Sequence, residues 1–459
     1  MSPERCKGTQ LANIPWTQRG TVRMTTTSIG VQELQKRIGE KAKADPRHRF
    51  WGLYTHVWKL DVLGEAYRLA KKNNGAPGVD GETFERIEAE GVEGLLDALS
   101  RELREKTYRP LPCRQVTIPK EGGKGRGLKI PAIRDRVVEG AVKLTLEPIF
   151  EADFQEGSYG YRPNRSTHQA LERVRVGLIK GLRKVIDLDL RSYFDSVRHD
   201  LLLSKIAKRV RDKDLLWLCK RILKSGGNRG LPQGSVIGPL WANVFLNDVD
   251  VMLEHAQIAT KREQYETVRY TRYADDLVVL VYSDPRAEHW VEKVERRLRE
   301  EFKKLDLNIN EEKTRVVKFE AGEPFDFLGF TFRWVTQRKD PRKKMVQCRP
   351  QKKKRTRFLR ELSHTLRRRL HVPVEEVVQK VVNPRVRGWV NYFRWGNSGW
   401  DLRFVRRQVD RKVRRFASRQ RPKRKKGGRG WTTWSEQEIY GDWKLYSDYR
   451  VAWCSVPSG

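Results

Sequence analysis

The sequence predicts an α+β protein, with an antiparallel sheet flanked by helices and a helical C-terminal region. Three observations carry this. The stretches KVIDLDL (184–190) and RYTRYADDLVVLVY (269–282) have the alternation and composition of strands. Segments with apolar residues at helical spacing lie before and between them. The last third returns to helical spacing on segments dense in Arg and Lys.

Composition bounds the function. The 459 residues suggest roughly two to four domains, and 38% hydrophobic content is ample for their cores. Lys and Arg number 95 against 58 Asp and Glu, a net charge of +37. A surplus of that size points to a polyanionic partner, because a merely solvated face would mix both signs. No membrane association is expected, since there is neither a spanning run nor an amphipathic anchor. Cys6, Cys113, Cys219, Cys348 and Cys454 are scattered and odd in number, which argues against a disulfide framework or a zinc site and fits a reducing cytoplasm. The N-terminal MSPERCKGTQLANIPWTQRG has no continuous apolar segment to act as a secretory signal.

Residues 1–30 read as a polar, poorly ordered tail. Val31 to Arg109 is amphipathic and helical, broken at Asn73 to Gly81 by the Gly- and Pro-rich NNGAPGVDG. Ile118 to Pro131, IPKEGGKGRGLKIP, joins two short apolar runs with Lys120, Lys124, Arg126 and Lys129 set among glycines, a basic hairpin suited to phosphate. In KVIDLDLRSYFDSVRHDLLL, Val185, Asp187 and Asp189 share one strand face, and a helix capped near Asp195 or Ser196 should follow. Gly226 to Pro239 is a Gly/Pro loop leading into the helix LWANVFLNDVDVML. Tyr270 to Ala274 and Leu277 to Tyr282 form a hairpin around Asp275 and Asp276. Trp290 to Leu305 is a charged helix, NINEEKT a turn, and FDFLGFTFRW a strand pair bent at Gly329.

Further on, Val405, Val409, Val413 and Phe416 make an inner stripe, with Arg406, Arg407, Arg411, Arg414 and Arg415 covering the rest of a helix. RQRPKRKKGGRG reads as a flexible basic linker. The Trp- and Tyr-rich tail beyond it suits stacking on unpaired bases or packing of a small helical unit, with packing favoured.

Two adjacent carboxylates at a hairpin tip repel each other, so both stay ionised only beside a cation. Oxygen ligands favour Mg²⁺, and a third carboxylate on a neighbouring strand would let two ions activate one oxygen and stabilise another. Asp187 and Asp189 are the candidates. Standing alone, an Asp-Asp pair is more often an ordinary hairpin turn.

Taken together these blocks resemble the bacterial group II intron-encoded reverse transcriptases, or maturases. RYADDLVVL resembles the family's YxDD box, DLDLRSYFDSV its first acidic palm motif, and GLPQGSVIGPLWANVFLNDVD its nucleotide-pocket motif. GRGLKIPAIRDRVVEGAVKLTLEPIFEADF and SYGYRPNRSTHQAL look like its fingers blocks, and LNINEEKT and FDFLGFTF like its last palm motifs. RVRGWVNYFRWGNSGWDLRFVRRQVDRKVRRF is similar to its maturase-specific thumb.

The resemblance implies a right-hand polymerase: an N-terminal extension and start of the fingers (31–110), fingers and palm (111–335), a basic linker (336–355), a helical thumb (356–420) and a basic, aromatic DNA-binding region (421–459). It implies that Asp189, Asp275 and Asp276 hold two Mg²⁺ ions, Asp189 being preferred because it stands five residues before Phe194, the family's spacing. Phe194 would exclude a 2′-hydroxyl and Gln233 would contact the incoming nucleotide. Arg126 with Lys120 and Lys124 would clamp its triphosphate, Lys313 would serve the leaving pyrophosphate, and Phe327, Leu328 and Gly329 would grip the primer. Gly238 stands where the family often has Ser before Pro239. The implied activity is RNA-directed DNA synthesis with maturase assistance to splicing and target-primed mobility in the bacterial cytoplasm, on intron RNA, a DNA target, a template–primer duplex and dNTPs. The alternative is an RNA-binding maturase with an inactive polymerase site. The paired Cys and His of the HNH endonuclease that relatives often append are not seen after residue 430, so no DNA cleavage is expected.

Overall fold

A computed structural model describes residues 29–118, 125–261, 266–284, 288–337, 340–420 and 434–453. The amphipathic N-terminal region forms helices α1 (Ile29–Ala44), α2 (Leu60–Asn73) and α3 (Val92–Arg104). They pack on α4 (Ile133–Asp153), whose Val137, Ala141, Val142 and Leu146 are fully buried. Gly140 makes that packing close, since a Cβ there would stand 2.9 Å from the Ala66 Cβ on α2. The predicted break follows α2, where Asn74 turns left-handed at φ 39°. Strands β1 (Arg114–Ile118) and β2 (Arg126–Ile130) pair antiparallel, Ile118 opposite Arg126, on either side of the basic loop. Lys120, Lys124 and the side chain of Arg126 lie outside the described residues.

The central sheet contains β3 (Lys184–Leu188), β4 (Val268–Tyr273), β5 (Asp276–Val281) and β6 (Arg315–Lys318), in the order β4-β5-β3-β6 with every neighbour antiparallel. Strand alternation sends its side chains to two cores. Val185, Val278 and Leu280 meet Leu171 and Val174 of α5 (Thr167–Ile179) and the C-terminal helices. On the other face, Ile186, Leu188, Val279 and Val281 join a core with α8 (Gly238–Thr260) and α9 (Glu288–Lys304).

Between β3 and α8 the sequence expectation shifts. Instead of one helix capped near Asp195 or Ser196, a single turn at Tyr193–Ser196 stops at the buried, extended Val197. The Val197 carbonyl accepts from the Gly230 amide at 2.8 Å, so it is withdrawn from the helix. Helix α6 (His199–Arg209) starts afresh without a side-chain cap, and α7 (Lys213–Ser225) follows.

A second sheet contains β7 (Phe325–Phe327), β8 (Phe330–Thr336) and β9 (Lys344–Pro350). Strand β9 lies inside 336–355, the stretch expected to be a basic linker. Its Val346, Cys348 and Pro350 alternate inward while the residues between them face outward, so the density of Lys and Arg concealed a strand.

Helices α10 (Lys352–Arg367), α11 (Asn383–Phe393) and α12 (Gly399–Gln420) complete the chain's main body. Val405, Val409, Val413 and Phe416 face inward on α12 as expected. Arg414, expected on the outer face, is half-buried and ion-paired with Asp410 at 2.8 Å. Trp434, Ile439, Trp443 and Leu445 pack into the same core, as expected of the aromatic tail, while the basic segment 421–433 before it lies outside the described residues. Among the described residues no helix is long and apolar enough to cross a membrane.

Candidate active site

Sheet register brings two of the predicted carboxylates side by side. Leu188, the last residue of β3, pairs with Leu277 of β5, so the next residues along that register are Asp189 and Asp276. Asp276 already belongs to β5; the hairpin loop is Ala274–Asp275, with Ala274 left-handed at φ 58°. Arg272 holds this tip from below. Its guanidinium, with the residue 1% exposed, ion-pairs with Asp250 and donates to Ser158 Oγ at 2.8 Å, Asn243 Oδ1 at 3.0 Å and the Ala274 carbonyl at 2.8 Å.

The NINEEKT turn reaches the same place. Leu190 bridges Ile309, and the Asn310 amide donates to the Asp189 carbonyl at 2.8 Å. One carboxylate oxygen of Asp189 accepts from Asn310 Nδ2 at 2.9 Å and from Lys313 Nζ at 3.2 Å. Asp187 is engaged differently, with its carboxylate 3.6 Å from Arg315 Nε.

Crowding shows in the electrostatics. Burial pushes the Asp276 carboxyl up to about 6, helped by the charges of Asp275, Asp189 and Asp187 and opposed by Lys313. Asp187 is likewise pushed to about 6 by burial, against the pull of Arg315. Among the described residues no three Asp, Glu, His or Cys groups close into a metal cluster. The donor set is nonetheless all oxygen, and its surplus negative charge is answered at Asp189 by the ammonium of Lys313. That is the chemistry of a hard divalent-cation site.

A cleft of about 760 Å³ opens here, lined by Asp187, Asp189, Asp276, Lys313, Phe327, Leu328, Gly329, Lys353, Lys354 and Tyr392. Asp275 is not among the lining residues; from the hairpin loop it acts on Asp276 through its charge. Leu328 and Gly329 have φ of 46° and 82°, the pair of positive values that a tight β7–β8 turn requires. Tyr392 Oη on α11 donates to the Leu328 carbonyl at 2.8 Å, and the Gln351 amide donates to the Gly329 carbonyl at 3.0 Å. Phe327, only 3% exposed, belongs to the core.

Phe194 and Gln233 lie outside that lining, linked through the loop that carries Gln233. Phe194 is half-buried, edge-on to Tyr193 with ring centres 5.7 Å apart. Its carbonyl accepts from the Leu231 amide at 2.7 Å, and the Gln233 carbonyl accepts from the Lys129 amide on β2 at 3.1 Å. Gly234 is essential to that closeness, because at φ 142° a Cβ would meet the Lys129 carbonyl at 2.6 Å. One loop therefore ties the β1–β2 hairpin to the Phe194 turn.

Sequence reasoning missed the group that fixes this loop. Glu139 of α4 is fully enclosed, and burial pushes its carboxyl up to about 7. One oxygen accepts from Ser235 Oγ at 2.8 Å and from the Val236 amide at 2.7 Å, while Ser235 Oγ accepts from the Gly238 amide at 3.1 Å. An acid in the apolar helical pattern VVEGAVKL was the available signal. Arg272 and Tyr392 were also missed; only the first had one, an arginine in a strand otherwise rich in aromatic and β-branched residues.

Comparison with known proteins adds two family matches and a set of relatives. The family described as reverse transcriptase (RNA-dependent DNA polymerase) matches residues 118–332, and that described as group II intron, maturase-specific domain matches residues 355–434. Protein YkfC of Escherichia coli K12 is 35% identical over 340 residues, covering 65% of this chain and 87% of YkfC. The group II intron-encoded protein LtrA of Lactococcus lactis subsp. cremoris is 25% identical over 368 residues, 65% of this chain. This chain spans 59% of LtrA, less than two thirds of its length. A Candida tropicalis apo telomerase structure is 16% identical, with a TM-score of 0.37 over 49% of this chain and 47% of that one.

Proposed function

We propose that this chain, which belongs to the group II intron-encoded family of reverse transcriptases with a maturase-specific domain, copies RNA into DNA in the cleft of Asp189 and Asp276. One observation carries the reading: β3–β5 register sets Asp189 beside Asp276 in a cleft that also presents the Leu328–Gly329 turn. Asp189, Asp275 and Asp276 would hold two Mg²⁺ ions. Bound there, the ions would favour attack of a primer 3′-oxygen on the α-phosphate and departure of pyrophosphate by neutralising charge on the reacting oxygens.

The chain's own residues position the reactants. The carbonyls of Leu328 and Gly329 are bonded to Tyr392 and Gln351, so the turn is a rigid support for the primer end. Gln233 meets the incoming nucleotide, and Phe194 beside it refuses a 2′-hydroxyl by size. Arg126 and Lys120, at the β1–β2 hairpin, hold the triphosphate. Lys313 is placed on Asp189, from which its ammonium also answers charge on the leaving pyrophosphate.

Helices α10 to α12 carry the maturase role. The inward valines of α12 leave Arg406, Arg407, Arg411 and Arg415 on its outer face for RNA phosphates. In this reading the partner is intron RNA in the bacterial cytoplasm, copied after splicing at a DNA target that the 421–459 region contacts. An RNA-binding protein with a lapsed polymerase site is not favoured, because the acidic residues, Phe194 and Gln233 are all present.

Primer extension on an RNA template tests the reading. With Mg²⁺ and dNTPs, but not rNTPs, the wild type should make cDNA, and Asp275→Asn/Asp276→Asn should make none while still binding RNA. Equal extension by both proteins would refute it.

A further inference from the structure

Beside the Asp275–Asp276 hairpin stands an aromatic side chain outside the acidic cleft. Tyr161 of SYGYRP is 52% exposed, and its backbone is left-handed at φ 60°. That conformation is rare for a bulky residue and persists only where the surroundings impose it.

Those surroundings are rigid. Ser158 bridges Arg272 of β4 in parallel pairing; the Arg272 amide donates to the Gly157 carbonyl at 2.8 Å, and the Tyr159 amide donates to the Arg272 carbonyl at 2.9 Å. Gly160 lies against the hairpin tip so closely that a Cβ would stand 2.4 Å from the Ala274 nitrogen. Its carbonyl accepts from the buried Asn243 Nδ2 at 2.7 Å. On the other side Arg162 is buried, bound to Glu151 and to the carbonyls of Gln155 and Ser158. The chain is thus clamped before and after Tyr161 while about half of the residue between stays exposed. It stands beside Tyr273, centroids 6.3 Å apart and planes at 46°, and Tyr273 is the strand residue that pairs with Asp276.

A core aromatic would be covered, whereas this ring stays about half exposed on a backbone fixed against the hairpin tip. We propose that Tyr161 is a stacking platform for a nucleobase of the template–primer end, held at the hairpin tip by Gly160 and Arg162. The inference rests on the polymerase reading above. The base face is the shared chemistry, and it comes either from the primer terminus or from the template base opposite it.

The test uses the full chain and two RNA–DNA duplexes, one with 2-aminopurine at the primer 3′ terminus and one with it at the paired template position. Wild type and Tyr161→Phe should alter the fluorescence of one of them on binding, and the responding label identifies the strand. Tyr161→Gly and Tyr161→Asn remove the ring while suiting a positive φ. Both should lose that change and bind about tenfold more weakly, the loss of one stacked base. If either folds like the wild type yet keeps the fluorescence change and the affinity, the proposal is overturned. A wild type that extends no primer would instead sink the polymerase reading, so the two failures are distinguishable.

Discussion

Asp276 is where a single residue sets how the site responds to protons and cations. Its carboxyl is raised to about 6, above its unfolded value, first by burial and then by Asp275, Asp189 and Asp187. The folded chain therefore holds that proton more tightly than the unfolded one, and the stability this contributes is present at low pH and lost as pH rises through about 6. Without divalent cations, Asp276→Asn should melt no lower than the wild type at pH 7.5, and the two should converge at pH 4. Added Mg²⁺ should raise the wild-type melting temperature at pH 7.5, less at pH 5.5, and least in the variant. Melting curves with and without Mg²⁺ check this, and an Asp276→Asn protein that melts well below the wild type at pH 7.5 would contradict it. The repulsion between Asp275 and Asp276 was legible in the sequence; the burial of Asp276 and the pairing of Lys313 with Asp189 were not, because both depend on strands far apart in the chain meeting in one register.

At the scale of elements, the loop Gly230–Gly234 joins the β1–β2 hairpin to the Phe194 turn, and Glu139 anchors the residues just after it. Glu139→Ala leaves the Ser235 hydroxyl and Val236 amide without their acceptor, a cost of about 2 kcal/mol in denaturant unfolding. It should raise the KM for dNTP more than it weakens template–primer binding, and a variant with unchanged dNTP kinetics would show the loop to be independent of its anchor. What the sequence revealed about elements follows the same physics. The acidic hairpin was legible because both its strands alternate or run apolar within a few residues of the turn. Strand β9 was not, since Lys and Arg crowd the stretch around it and the inward trio of Val346, Cys348 and Pro350 is short. The break after Ser196 was equally hidden: it depends on a hydrogen bond from Gly230 to Val197, and local helical spacing carries no trace of it.

Over the whole molecule, two cores meet at the central sheet, one shared with the N-terminal helices and one with α10 to α12. The second places Tyr392 of α11 on the Leu328–Gly329 turn, so the region matching the maturase-specific domain and the acidic cleft are parts of one structure. The order of the motif blocks along the chain made this architecture readable, while the net charge of +37 pointed only to a polyanionic partner. The spacing to Phe194 favoured Asp189 over Asp187 from the sequence, and the fold adds a geometric reason for the same preference. Asp189 continues the register to Asp276, whereas Asp187 is ion-paired with Arg315. The most direct test of the central claim is single-nucleotide incorporation on an RNA template by Asp189→Asn and Asp187→Asn, with template–primer affinity measured alongside. Asp189→Asn should lose activity on the order of a thousandfold at unchanged affinity, with Asp187→Asn within about tenfold of the wild type. An inactive Asp187→Asn beside an active Asp189→Asn would contradict it.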